Sequence, residues 1–149
     1  MKNKFIQMYS DIALRVAKLS SARRLQVGAI VVKDDRIISI GYNGMPSGWD
    51  NNCEDEITYP DAHGITLKTK PEVLHAESNA IAKLAKSSES ADGASMFITC
   101  APCIDCAKMI YQSGIKEVFY GDAYKNEAGI SFLYKCKIPV KQILTTTTT

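Results

Sequence analysis

The chain has 149 residues, 46% of them hydrophobic, which is the usual size of one globular domain and enough apolar side chain for a sizeable core. Lys and Arg number 18 against 16 Asp and Glu, a formal net charge of +2 that supplies neither a broad basic field for wrapping nucleic acid nor an acidic tail. No apolar stretch reaches the roughly 20 residues of a membrane span and Met1 to Tyr9 lacks the apolar core of a secretory signal, so a cytoplasmic protein with a small partner, and no membrane or nucleic-acid partner, is expected.

Asn3 to Leu19 places Ile6, Tyr9, Ile12, Ala13, Val16 and Leu19 at three- and four-residue steps, which predicts an amphipathic helix packed on a sheet. Val27 to Val32, the polar turn Lys33 to Arg36, and Ile37 to Ile40 predict a hairpin, after which Gly41 to Gly48 leaves the sheet as a turn-rich loop. From about residue 49 to 74 no clear periodicity is visible. An irregular insert of that length is expected to be a lid or an effector-binding segment. Ala76, Ala80, Ile81, Leu84 and Ala85 restore helical spacing up to the polar stretch Ser87 to Gly93. Met96 to Thr99 reads as a buried strand, and Cys103 to Gln112 as a helix with Pro102 at its entrance and Gly114 at its C-terminal cap. Val118 to Tyr120 is a strand, Glu127 to Tyr134 a helix, and Ile138 to Ile143 a final weak strand. A hairpin followed by strand–helix alternation predicts an α/β fold: one domain, a mixed five-stranded sheet and helices on both faces. The five threonines at 145–149 form a low-complexity tail.

Five cysteines, Cys53, Cys100, Cys103, Cys106 and Cys136, are an odd number with three crowded together, which suits a metal site better than a disulfide framework. His75 and Glu77 stand at the start of one helix, Cys103 and Cys106 at the start of another and one helical turn apart. A thiolate at a helix N-terminus is favoured by the dipole and by free N–H groups, so its pKa should fall. Three ligands, His75, Cys103 and Cys106, leave the fourth tetrahedral position of a zinc ion to water, the pattern of a catalytic site. Glu77 is then available as a general acid/base. Cys100 offers an alternative, a closed structural zinc held by His75, Cys100, Cys103 and Cys106. Cys53 and His63 could also contribute to a second metal site, although two ligands are too few to define one.

His75-Ala76-Glu77 with Pro102-Cys103-x-x-Cys106 resembles the signature of zinc-dependent nucleobase deaminases. Val27 to Val32, Gly41-Tyr42-Asn43-Gly44-Met45-Pro46-Ser47-Gly48, His75 to Ile81, and Cys106-Ala107-Lys108-Met109-Ile110 to Lys116 extend the likeness to the deoxycytidylate (dCMP) deaminases over Ser20 to about Val140, with Cys100 as a departure. The resemblance implies a cytidine deaminase-like three-layer α/β/α sandwich and hydrolysis of dCMP to dUMP and ammonia, supplying the precursor of dTMP. It also implies a hexamer regulated through the Asn43, Gly44, Met45 and Gly48 loop by dCTP as activator and dTTP as inhibitor, with Mg²⁺ on the triphosphate. Its substrate-contacting positions fall on Asn43, Ala76, Pro102, Tyr124 and Lys125. Arg24, beside Arg23, is a candidate phosphate ligand, and the Asn43 amide a candidate for a sugar hydroxyl. His-Ala-Glu and Pro-Cys-x-x-Cys also leave open a deaminase of another base, such as tRNA adenosine, or a non-catalytic, zinc-stabilised nucleotide-binding regulator.

Overall fold

A computed structural model describes residues 1–61 and 64–144. Among the described residues eleven elements follow in chain order: α1 (Asn3–Ala17), β1 (Gly28–Lys33), β2 (Arg36–Tyr42), β3 (Glu54–Thr58), β4 (Ile65–Thr69), α2 (Ala76–Ala85), β5 (Ser95–Cys100), α3 (Ile104–Gln112), β6 (Glu117–Asp122), α4 (Ala128–Lys135) and β7 (Val140–Gln142). The main sheet has the order β2-β1-β5-β6-β7. β1 runs antiparallel to both β2 and β5, whereas β5, β6 and β7 are parallel, so the five-stranded sheet is mixed as expected.

Strand alternation assigns each face its helices. Ile30, Val32, Phe97 and Phe119 point to one side and meet Ile6, Tyr9, Ala13 and Val16 of α1. The Phe97 and Phe119 rings stack there at 4.8 Å. Ala29, Val31, Met96, Ile98 and Val118 point to the other side and pack on Ala76, Ala80 and Leu84 of α2, Ala107 and Ile110 of α3, and Leu133 of α4. Burying each large side chain contributes about 1.5–3 kcal/mol, and both apolar layers are continuous, so α1 and the α2–α4 group are fixed on opposite faces. Removal of Gly41's hydrogen in favour of a Cβ would overlap Ala76 O and Ala80 N, so this glycine lets the start of α2 lie flat on β2.

Three differences from the expected elements have local causes. Gly41 and Tyr42 belong to β2, paired with Ala29 and Gly28, so the strand outlasts its apolar run. The β1–β2 turn is tighter than a four-residue polar loop, with Asp34 and Asp35 both in the left-handed region at φ 51° and 58°. The stretch 49–74, expected to be irregular, contains the antiparallel hairpin β3–β4, registered from Glu54 opposite Thr69 to Thr58 opposite Ile65. Neither strand buries a stripe of apolar side chains, and Glu54 is the buried residue of the two. Periodicity of burial therefore left no trace there. β7 is confined to Val140–Gln142 within the expected Ile138 to Ile143.

Candidate active site

Two helix starts converge behind the end of β5. His75 caps α2 in an extended conformation (φ −78°, ψ 154°), and Cys103 caps α3 likewise (φ −70°, ψ 169°) with its Sγ accepting from Cys106 N at 3.5 Å. Their positions follow from sequence: Pro102 ends the strand exit without needing an N–H bond, and the next residue opens a helix. Gly129 of α4 seals this corner from behind, since a Cβ there would overlap Pro102 O and press on the Cys103 carbonyl group.

His75, Cys103 and Cys106 form a cluster with ligand atoms all within 4.8 Å of one another, and among the described residues no other group of three meets this condition. His75 Nδ1 lies 3.3 Å from Cys106 Sγ and 3.5 Å from Cys103 Sγ. Zinc–nitrogen and zinc–sulfur bonds of about 2.0–2.1 and 2.3 Å at a tetrahedral angle require an N–S edge of about 3.5 Å, so the donor set fits zinc. Cys100, buried at the end of β5, stands outside the cluster, which removes the closed four-ligand arrangement. His63 lies outside the described residues, while Cys53 is buried beside the cleft.

Burial pushes the Cys106 thiol well above its ordinary pKa, and the charges of Glu77 and Cys103 add to the shift, against the lowering expected of a helix N-terminus. At 1% exposure desolvation outweighs the helix end. A divalent cation reverses that balance, because a coordinating thiol is deprotonated by the ion itself. Burial likewise lifts the Glu77 carboxyl, partly offset by its own backbone N–H, by His75 and by Cys106. An upward shift is the direction that suits a carboxyl which must both accept and return a proton.

Glu77, 4% exposed, sits with His75 and Cys103 at the floor of a cleft of about 250 Å³. Asn43, Ala76, Tyr124 and Arg24 line the same cleft, so four of the expected substrate-contacting residues are brought together. Pro102 is buried behind Cys103, and Lys125 is exposed outside the cleft, next to Tyr124, which lines the cleft rim and is itself exposed. Gly44, Met45 and Gly48 also lie outside it. Gly44 exchanges backbone hydrogen bonds with Leu74, next to His75, at 3.1 and 2.8 Å. The Asn43 amide is engaged by the chain: Oδ1 accepts from Val27 N at 2.8 Å and Nδ2 donates to Leu25 O at 2.7 Å. Arg23 turns away, donating to Glu56, Asn52 and the Glu54 carbonyl, which leaves Arg24 as the cleft's arginine. Sequence reasoning missed Glu54, Thr69 and Val73, contributed by the insert. Apart from their place in that insert, no local pattern marked them.

The family model for the cytidine and deoxycytidylate deaminase zinc-binding region matches residues 3–122. The deoxycytidylate deaminase of enterobacteria phage T4 is 36% identical over 152 residues, covering 80% of this chain and 79% of the phage protein. Human deoxycytidylate deaminase is 41% identical over 122 residues, 79% of this chain and 65% of the human one. The crystal structure of dCMP deaminase from cyanophage S-TIM5 in complex with dCMP and dUMP superposes with a TM-score of 0.85 at 42% identity, over 96% of this chain and 99% of that one. With His75 and Cys103 capping their helices, Cys106 one turn into α3, the buried glutamate beside them and these matches, the chain belongs to the cytidine and deoxycytidylate deaminase family.

Proposed function

We propose that the protein hydrolyses dCMP to dUMP and ammonia. The observation that carries this reading is the buried Glu77 carboxylate beside the His75, Cys103 and Cys106 donors, on the floor of a cleft that also holds Arg24. Zinc bound by those three residues supplies Lewis acidity that makes water nucleophilic near neutral pH. Glu77 accepts a proton as water adds to the amine-bearing ring carbon and passes it to the adjacent ring nitrogen, then moves the remaining hydroxyl proton to the amino group, so that the C–N bond breaks, ammonia leaves and a carbonyl remains. Ala76, at the first position of α2, borders the reacting base, and Pro102 fixes Cys103 from behind. Tyr124 forms a side wall. Asn43 steadies the Leu25–Val27 backbone.

Arg24 takes the 5′-phosphate. A charged hydrogen bond to phosphate contributes roughly 1.5–3 kcal/mol, enough for well over tenfold selectivity for dCMP over deoxycytidine. The product would feed dTMP synthesis in the cytoplasm. In the same reading the Asn43–Gly48 loop binds dCTP or dTTP with Mg²⁺ in a hexamer, and what supports it is the route from loop to cleft: Gly44 is bonded to Leu74 beside His75, and Asn43 to the segment that carries Arg24. Ammonia release from dCMP, deoxycytidine and CMP by the zinc-loaded protein tests the assignment. No release from dCMP, or equal kcat/KM for deoxycytidine, would overturn it.

A further inference from the structure

Arg24 reaches the cleft from a segment with no regular structure of its own, between α1 and β1. Its backbone is nonetheless anchored. Glu54, 1% exposed, directs its carboxylate at two successive main-chain donors, with Arg23 N 3.0 Å from Oε1 and 2.8 Å from Oε2, and Arg24 N 3.2 Å from Oε2. Burying a carboxylate is expensive unless its oxygens are satisfied, and a glutamine in its place would turn an N–H₂ group toward one of these donors. Thr69, directly opposite Glu54 in the β3–β4 register, holds the other end of the same residue: Arg24 Nη1 donates to its Oγ1 at 3.1 Å. One cross-strand pair thus grips Arg24 at its main chain and at its guanidinium.

We propose that Glu54 and Thr69, the base pair of the β3–β4 hairpin, are positioning residues that present the Arg24 guanidinium to the substrate's 5′-phosphate. The inference rests on the phosphate reading above and assigns the hairpin a role in substrate selection. Arg23, spent on Glu56 and Asn52, anchors the same segment to the hairpin from outside. Neither positioning residue exchanges a proton with the substrate, so their effect falls on binding of the phosphate.

The experiment compares steady-state kinetics of zinc-loaded wild type, Glu54→Gln, Thr69→Val and Thr69→Ser with dCMP and with deoxycytidine, alongside zinc content and melting temperature. Expected are a KM for dCMP raised about tenfold in Glu54→Gln and severalfold in Thr69→Val, kcat within about twofold, kcat/KM for deoxycytidine little changed, and recovery in Thr69→Ser, which keeps the hydroxyl. An unchanged KM for dCMP, or an equal loss with deoxycytidine, would overturn the proposal. Should Glu54→Gln fail to fold, the two Thr69 variants decide the question. Wild-type protein that treats both substrates alike would instead remove the phosphate reading beneath it.

Discussion

Gly129 lies so close to the Pro102 carbonyl that α4 and the cysteine-bearing corner share a single van der Waals surface. The hydrogen on Gly129 is the only side chain that surface accommodates, although α4 contributes no ligand and no cleft residue. Replacing it by alanine must push either α4 or the Pro102–Cys103 peptide outward. Gly129→Ala is therefore expected to cost about 1–3 kcal/mol of stability and to weaken zinc binding at the same time. Thermal melts with and without added zinc check this: a variant that melts and holds metal like wild type would refute the packing argument.

Glu77 and Cys106 are both buried in the same corner but should fail differently. Glu77→Gln preserves shape and leaves the ligands intact, so zinc should remain at one per chain while kcat falls by 10² to 10⁴ or more, on the scale of a lost general acid/base. Cys106→Ala removes a ligand and should lose both metal and thermal stability, as should chelation of the wild type, with recovery on zinc addition. Atomic absorption on the purified variants distinguishes the two. Zinc loss in Glu77→Gln would make that carboxylate a ligand or a scaffold.

Cys100 provides a control. Its thiol is pushed up to about 11 by burial, with the Glu77 and Asp122 charges adding to the effect, so roughly one molecule in a thousand carries the thiolate at pH 8. Alkylation there should be slow and should accelerate as pH rises toward that value. Cys100→Ser should retain stoichiometric zinc, since this sulfur stands outside the ligand cluster. Metal loss in that variant would restore the four-ligand alternative.

Regulation has its own readout in dCMP saturation curves. Added dCTP with Mg²⁺ should shift the curve to lower substrate, and dTTP with Mg²⁺ to higher substrate with sigmoidal shape, a coupling of about 1–3 kcal/mol in each direction. Three superimposable hyperbolas would leave the Gly44–Gly48 loop without an effector role. Asn43→Ala should reduce the shift as well as substrate binding, because its amide ties that loop to Leu25 and Val27.

The grouping of His75, Cys103 and Cys106 with the Glu77 carboxyl was legible in the sequence because each pair is local: His75 and Glu77 within one helix start, Cys103 and Cys106 within one turn of another. The apolar face of α1 was legible for the same reason, since its three- and four-residue steps are a short-range pattern, whereas β1 and β5 are apolar on both faces and read only as buried runs. Glu54 was not, because its significance depends on amide groups more than 29 positions earlier, and an acidic residue in a polar stretch reads as surface. Asn43 was placed at the cleft by its position after β2, yet its amide serves backbone partners that only the folded chain brings near.

The β3–β4 hairpin pairs with no strand of the main sheet among the described residues, although it is inserted between β2 and α2 in the middle of the chain. It therefore lies inside the long loop that closes when β1 meets β5, a contact such as Gly28 N to Thr99 Oγ1 that spans 71 residues. Closure entropy depends only logarithmically on loop length, so lengthening the six-residue connection between β3 and β4 by ten residues would cost about 0.1 kcal/mol through this route and about 0.9 kcal/mol through closure of the hairpin itself. The sheet is nearly indifferent to how long that connection is, whereas Glu54 and Thr69 at the hairpin's base are tied to Arg24. Variation in chain length is thus thermodynamically cheap at the far end of the very hairpin whose near end is held in register with the cleft.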